Sequence, residues 1–310
     1  TIIGGLAGDA LTTGSNNIAI GKSALSAEDA HGHNIAIGAN ALSALNAGTD
    51  SYNVAIGSSA GGSLSTGIAN TIMGGLAGDA LTTGDANIAI GHTALSTEDE
   101  GNSSVAIGYQ ALLNQNVDGE VHNVAIGRAA GKEITTGTQN TIIGGLAGDA
   151  LTSGANNVAV GYLALSTEDT NGHNVAIGRK ALQNLDAGSD AYNVAIGSSA
   201  GVSVTTGTGN TIVGGLAGDA LTTGFENVAI GKNALGGDVE GAENIAIGRS
   251  AMSSTTNARA SIAIGYNALQ NLNYGSLTYS HNIGIGFSAG QNVTTGVQNT
   301  IIGGEAGDAL

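Results

Sequence analysis

An acidic, glycine-rich phrase is the first candidate for chemistry. TIIGGLAGDALTTG opens the chain and returns as TIMGGLAGDALTTG from Thr71, TIIGGLAGDALTSG from Thr141 and TIVGGLAGDALTTG from Thr211; TIIGGEAGDAL starts at Thr300. GGLAGDAL partly fits the calcium-binding nonapeptide G-G-x-G-x-D-x-L. Gly4, Gly5, Asp9 and Leu11 match, but Ala7 stands where a glycine is expected. Calcium rolls share each ion between neighbouring nonapeptides, whereas the first four copies here start 70 residues apart. The spacing favours a glycine-rich turn in which Asp9, Asp79, Asp149, Asp219 and Asp308 cap backbone N–H groups. The phrase also lacks the Lys-Ser/Thr pair and the strand–helix setting of a phosphate loop.

The remaining candidates read the same way. His31 and His33 form an HGH pair, and His33, His122, His173 and His281 each precede a repeated Asn. Metal ligation needs ligands that converge, and these lie on different repeats, so they read as exposed turn residues. Ser, His and Asp are all present, but no strained nucleophile elbow is visible. Tyr52 and Tyr192 occupy equivalent places, and Tyr109, Tyr162, Tyr266 and Phe287 each follow a repeated Gly. Such rings could stack on sugars; covering turn edges is the plainer role. Pairs such as Thr12-Thr13 and Thr82-Thr83 cluster by repeat type rather than ranking on every repeat, which argues against an ice-binding face. No residue is assigned a catalytic, cofactor-binding or metal-binding role, and the chain reads as a non-enzyme without cofactors.

Composition narrows the class. There are 53 Gly in 310 residues and no Pro, Cys or Trp, against ordinary Gly usage of about 7%. The glycines fall at fixed intervals, and 41% of residues are hydrophobic against 10% charged. That is enough apolar content for a packed core rather than disorder. With 24 acidic residues against 8 Lys and Arg, the net charge of −16 repels phosphate backbones, so a nucleic-acid partner is not expected. No apolar run has the length of a membrane span, so no membrane insertion is expected in this segment. There is no signal-peptide pattern, and an opening Thr inside a repeat reads as a window cut from a longer protein. The absence of Cys excludes a disulfide framework.

Beneath the long phrase lies a shorter unit, N-[IVT]-[AI]-[IVM]-G-x-x-A-[LG] followed by a polar connector. Its Gly marks positions 4, 21, 38, 57, 74, 91, 108, 127, 144, 161, 178, 197, 214, 231, 248, 265, 286 and 303, giving eighteen units. Steps of 17, 17, 19 and 17 make a 70-residue module; the last full module carries one more unit and a 21-residue step. Asn leads fifteen of seventeen units whose first position is visible, with Ser104 and Ser261 in the other two. The apolar run, such as Ile18-Ala19-Ile20, is β-branched, three residues long and bounded by Asn and Gly. It predicts a short strand. Alone it is unstable; stacked on identical neighbours it forms a parallel sheet, one repeat per coil. A period of 17 leaves room for two short strands and two turns per coil. The marker Gly suits a bend needing positive φ. The Asn can bond the backbone of the opposite turn and build an amide ladder. At roughly 4.8 Å per strand, eighteen coils would make a rod of about 85 Å. Residues 1–310 therefore read as a single continuous solenoid domain, with modules 1–70, 71–140, 141–210 and 211–299 and the start of another at 300–310.

N-[IV]-A-I-G-x-x-A-L, as in Asn17 to Leu25, Asn87 to Leu95 and Asn157 to Leu165, resembles the head repeats of YadA-type trimeric autotransporter adhesins. It is closer to the 17-residue N-T-A-V-G-Y-x-A-L repeats of bacteriophage tail fibres and related bacterial surface proteins. The resemblance covers essentially the whole chain. It implies a left-handed parallel β-roll, three chains around one axis, projecting from a surface to adhere. The coils here are longer than the roughly 14-residue coils of the adhesin heads. A stripe of small residues also suggests close chain packing: the middle strand position is Ala in twelve units, Gly284 in one, and Ile2, Ile72, Ile142, Ile212 and Ile301 in the rest. Such a stripe suits a second packed face, one face filling the chain's own core and the other meeting partner chains.

The expected protein is thus an all-β parallel solenoid, left-handed β-roll-like, of about eighteen coils, four to a module, and trimeric. It would be a structural and adhesive shaft of a surface-exposed fibre: a phage tail fibre used in host attachment, or alternatively a bacterial adhesin head or extracellular filament subunit. Its expected partners are copies of itself and a cell-surface receptor or glycan, on a virion surface, outside the cell or on the bacterial surface. The phrase GGLAGDAL is then a building block, marking the Ile-bearing coil of each module. A parallel ladder with few long loops offers little to unfold locally, so the purified chain should resist heat and proteinase K. Its rapid digestion to small peptides would contradict the ladder.

Overall fold

A computed structural model describes residues 1–307, so Asp308 and its expected capping role lie outside the described residues. The chain is all-β, a parallel solenoid of about eighteen coils, with no helix among the described residues. It divides into two units, Thr1–Ala155 and Asn156–Leu310, each carrying nine of the marker glycines.

Within each unit, every coil gives one short strand to a parallel sheet, and like stacks on like. Ile18–Ile20 lies on Ile35–Ile37, which lies on Val54–Ile56, with Ala19, Ala36 and Ala55 in one rank. In the second unit Val175–Ile177, Val194–Ile196 and Thr211–Val213 follow suit, with Ala176, Ala195 and Ile212 aligned. The expected second strand per coil is not general. Among the described residues a second ladder forms only locally, between Gly101–Asn102 and Gly119–Glu120 in the first unit and between Thr256–Arg259 and Asn273–Tyr279 in the second, where a bridge from Arg259 to Ala242 extends it by one coil. Elsewhere the connectors are turns whose N–H groups still bond the adjacent coil, as from Leu25 to Ala41 O and from Thr12 to Asp29 O. A turn can satisfy its backbone coil to coil without strand dihedrals.

The marker Gly is fixed on two counts. Gly91 has φ of 135°, and a Cβ there would stand 2.4 Å from the carbonyl oxygen of Gly108 in the next coil. Gly108 meets Gly127 in the same way. Only a residue without Cβ lets consecutive coils approach at one strand spacing.

The small-residue stripe lies in the chain's own core, not on a second face. Ala19, Ala36, Ala55 and Ile72 are fully buried, while the flanking Ile and Val point outward and are partly exposed. The coil interior is too thin to hold branched side chains from every rank. Eight of the twelve coils with Ala in the strand carry a buried Leu four residues after the marker Gly, such as Leu25, Leu42 and Leu95. Where Ile replaces Ala, glycines make the room: a Cβ on Gly61 would lie 2.9 Å from Ile72 Cδ1, and one on Gly78 3.5 Å. Ile142 is seated likewise by Gly131 and Gly148, and Ile212 by Gly201 and Gly218. Volume removed at one position is restored at another, as close packing requires.

The repeated Asn supplies the polar half of the interior. Asn70 Nδ2 donates to Gly84 O at 2.8 Å and to Asn53 Oδ1 at 3.2 Å; its Oδ1 accepts the Asn87 backbone N–H at 2.9 Å. The same pattern runs through Asn193, Asn210 and Asn227. The two exceptions are compensated. Beside Ser104, Gln115 Nε2 bonds the serine Oγ while its Oε1 accepts from Asn123. Beside Ser261, the hydroxyl of Tyr274 accepts from Asn282 and donates to Gly296 O.

Asn70→Ala would strand a buried N–H and a buried C=O, each costing about 1–3 kcal/mol. A loss of roughly 2–6 kcal/mol is expected in urea unfolding, by the same reckoning. Gly91→Ala adds both backbone strain and the clash with Gly108, and is expected to lose at least about 3 kcal/mol. An unfolding midpoint unchanged in both variants would refute the ladder.

Candidate functional site

The residues first suspected of chemistry do not converge on one another; His31 instead lies with Glu28 and Asp29, one ligand atom of each within 4.8 Å of the others. Asp79, Asp149 and Asp219 each accept their own backbone N–H, and partial burial pushes their carboxyls up from the ordinary range. They sit in separate coils. The leading Thr of the TTG pairs donates to the next coil, from Thr12 Oγ1 to Asp29 O at 2.8 Å and from Thr82 Oγ1 to Asp99 O at 3.0 Å. Three of the four histidines before the repeated Asn, His33, His173 and His281, stack on aromatic rings, and His122 lies 3.5 Å from the Glu120 carboxylate. His33 stacks on Tyr52 at 4.8 Å between centroids, and His173 on Tyr192 at 5.0 Å. Such residues sit at coil corners in the left-handed region, with φ of 66° at His33 and 53° at Tyr52.

Two surfaces stand out. The first is the outer face of each unit's sheet. Strand alternation turns two aliphatic side chains per coil outward, and coil-on-coil registry gathers them into ranks. Ile126 and Ile143 in the first unit, and Ile196, Ile230 and Ile264 in the second, are among the large apolar side chains left open to solvent. Tyr109, Tyr162, Tyr266 and Phe287 stand exposed one residue past the marker Gly, and Tyr266 stacks on Phe287 at 5.4 Å. The second surface is a cationic–aromatic cluster in the second unit. The Arg259 guanidinium lies 4.3 Å from the Tyr279 ring centroid and 5.3 Å from that of Phe225, and it pairs with Glu243 at 2.6 Å. Tyr279 in turn stacks on His281 at 5.6 Å.

The sequence reading passed over a third feature. Four carboxylic acids, Glu28, Glu98, Glu168 and Asp238, recur at 70-residue spacing and are fully buried. Each accepts the backbone N–H three residues on, as from His31 to Glu28 at 3.1 Å and from Asn171 to Glu168 at 3.1 Å. Glu98 Oε2 also takes the Gln115 amide at 2.8 Å. Among the described residues, Glu28 Oε2, Glu168 Oε2 and Asp238 Oδ2 have no hydrogen-bond partner. Burial disfavours the charged form; it pushes the Glu168 carboxyl up, and Asp238 up to about 7. The signal was present as the repeated pattern E-D, E-D, E-D, D-V one coil after each TIxGG phrase. A charged residue in a connector ordinarily reads as a solvated turn, which hid it.

The chain matches no protein-family model and no curated protein.

Burial of Asp238 carries a pH dependence. Its folded pKa of about 7 lies above the ordinary 3.8. Between those values the folded chain holds a proton that the unfolded chain has released, so this group's contribution to stability falls as pH rises through the window and is level above it. Asp238→Asn should remove that part of the slope. Urea unfolding at about pH 5 and about pH 8 should show the variant gaining on the parent toward the higher pH; a constant difference would exclude the buried acid as the cause.

Proposed function

We propose that the chain is a structural and adhesive shaft segment of a surface-exposed trimeric fibre, a bacteriophage tail fibre acting in host attachment. One observation carries this reading: the outward ranks of Ile and Val on the parallel sheet. A solvated sheet face ordinarily alternates polar residues against the buried ones. Here both faces of the strand are apolar, the inner one Ala and the outer one Ile or Val. Contiguous exposed apolar surface of this kind marks an interaction face. A second and third copy of the same chain are its natural occupants, because a repeat that matches itself coil for coil offers self-complementary ranks, and homo-oligomers close by symmetry. Three sheets turned toward a common axis would remove those ranks from water.

The adhesive part of the reading rests on the rings at the coil corners. Tyr, His and Phe stacked on neighbouring coils form rigid, half-wet platforms suited to stacking on a receptor's sugars. The Arg259–Tyr279 cluster adds a cation beside such a platform. The acidic net charge of −16 suits a protein that must stay dispersed and avoid nucleic acid.

Sedimentation equilibrium should return three times 30.0 kDa. The double variant Ile230→Lys, Ile264→Lys should sediment as a single chain with an unchanged β-type circular dichroism spectrum. A wild-type protein that sediments as one chain would sink the trimer. Attachment is read separately, as binding of the labelled wild-type chain to whole bacterial cells, which Tyr279→Ala should weaken.

A further inference from the structure

The buried acids of the connector differ in how their second oxygen is satisfied. In the coil that begins at Asn87, both oxygens of Glu98 have partners. Oε1 takes the N–H of Gly101 at 2.9 Å and Oε2 takes the amide of Gln115 at 2.8 Å. Gln115 stands seven residues after its marker Gly. The equivalent residue two modules' length on from Leu45 is Leu185, and both leucines are fully buried and donate nothing. Glu168 therefore keeps one oxygen with no partner in a fully buried side chain. A buried carboxylate in that state is costly unless a counter-charge reaches it.

Two further carboxylates stand beside it. One oxygen each of Glu168, Asp169 and Asp186 lies within 4.8 Å of the other two, and both aspartates are exposed. A calcium ion holds oxygen ligands at about 2.4 Å, so ligands on opposite sides are about 4.8 Å apart. All three carboxylates fit one coordination shell, with the open side left for water. Asp186 and Asp169 both act on Glu168 as like charges, a repulsion that a bound cation would offset. Three hard carboxylates with no imidazole or thiolate select Ca2+ over the softer transition metals.

We propose that Glu168, Asp169 and Asp186 form a calcium-binding site that clamps the coil beginning at Asn157 to the one beginning at Asn174. The ion takes the place that the Gln115 amide fills beside Glu98. It joins a connector residue pair of one coil to a connector residue of the next, adding a cross-coil bond where the turn offers no donor. The site is distinct from the GGLAGDAL phrase, whose aspartates, among the described residues, belong to no group of three carboxylates or imidazoles close enough to share an ion. It does not depend on the fibre reading, since all three ligands belong to one chain.

Isothermal titration of the EDTA-stripped full-length chain with CaCl2 at neutral pH tests it. A saturable calcium-binding event and a rise in melting temperature with Ca2+ are expected. Asp186→Asn, at an exposed position, should fold normally and weaken that event at least about tenfold. Glu168→Gln should do the same, and Glu98→Gln should leave it unchanged. Absence of a saturable event in the wild type overturns the proposal, as does wild-type affinity retained in Asp186→Asn. Should Glu168→Gln fail to fold, the Asp186→Asn comparison decides alone.

Discussion

Everything in this molecule follows from how closely one coil can lie on the next. Marker glycines of consecutive coils approach until a Cβ would touch the neighbouring carbonyl, at 2.3–2.7 Å along nearly the whole described chain. That approach brings the strands to hydrogen-bonding distance, and it forces identical residues into register. Once registry holds, each residue type becomes a rank: Ala over Ala inside, Ile over Ile outside, Asn over Asn at the corner. A single side chain per coil thus sets a property of a whole face.

The thin interior explains the composition. A coil of about seventeen residues encloses little volume, so most ranks take Ala, and each large side chain needs a glycine beside it. The exchange of Ala and Leu for Ile and Gly is a repacking at constant volume, which cores tolerate better than any net change. Polar groups must enter as well, because the connectors turn without regular strands and leave backbone groups inside. The Asn amide meets this need with one acceptor and two donors, and it does so by bonding the same groups in coil after coil. Where Ser104 or Ser261 breaks the rank, Gln115 or Tyr274 reaches in from another part of the coil. The buried acids belong to the same accounting: beside Glu28 and Glu168 the Gln115 position holds Leu45 and Leu185, which donate nothing.

Corner geometry carries a further cost. The coil from Asn87 to Ser103 places Thr93, Leu95 and Ser103 in the left-handed region, at φ of 52°, 53° and 60°. Each such residue costs about 1–2 kcal/mol relative to ordinary backbone, and this coil has no Gly at any of the three positions. The ladder bonds and the buried Leu hold them there. A turn stabilised from outside itself in this way has no local signature, which is why the corners were legible only as polar connectors of fixed length.

The sequence by itself determined the coil. The 17-residue period, the Asn-to-Gly bracket around three β-branched or small residues, and the invariant Ala established a parallel stack, because a three-residue strand has no other way to satisfy its backbone. It also predicted the Asn ladder, since the amide's donors and acceptor suit a repeated backbone pair. Tertiary structure decided which way the strand faces. Alternation states only that Ala and Ile lie on opposite sides; the width of the enclosed space put Ala inside and left Ile in the open. It decided too that Glu28, Glu98, Glu168 and Asp238 are interior groups. Burial of a connector side chain depends on where the neighbouring coil passes, and that is a distance between residues 17 to 19 positions apart, not a property of either one.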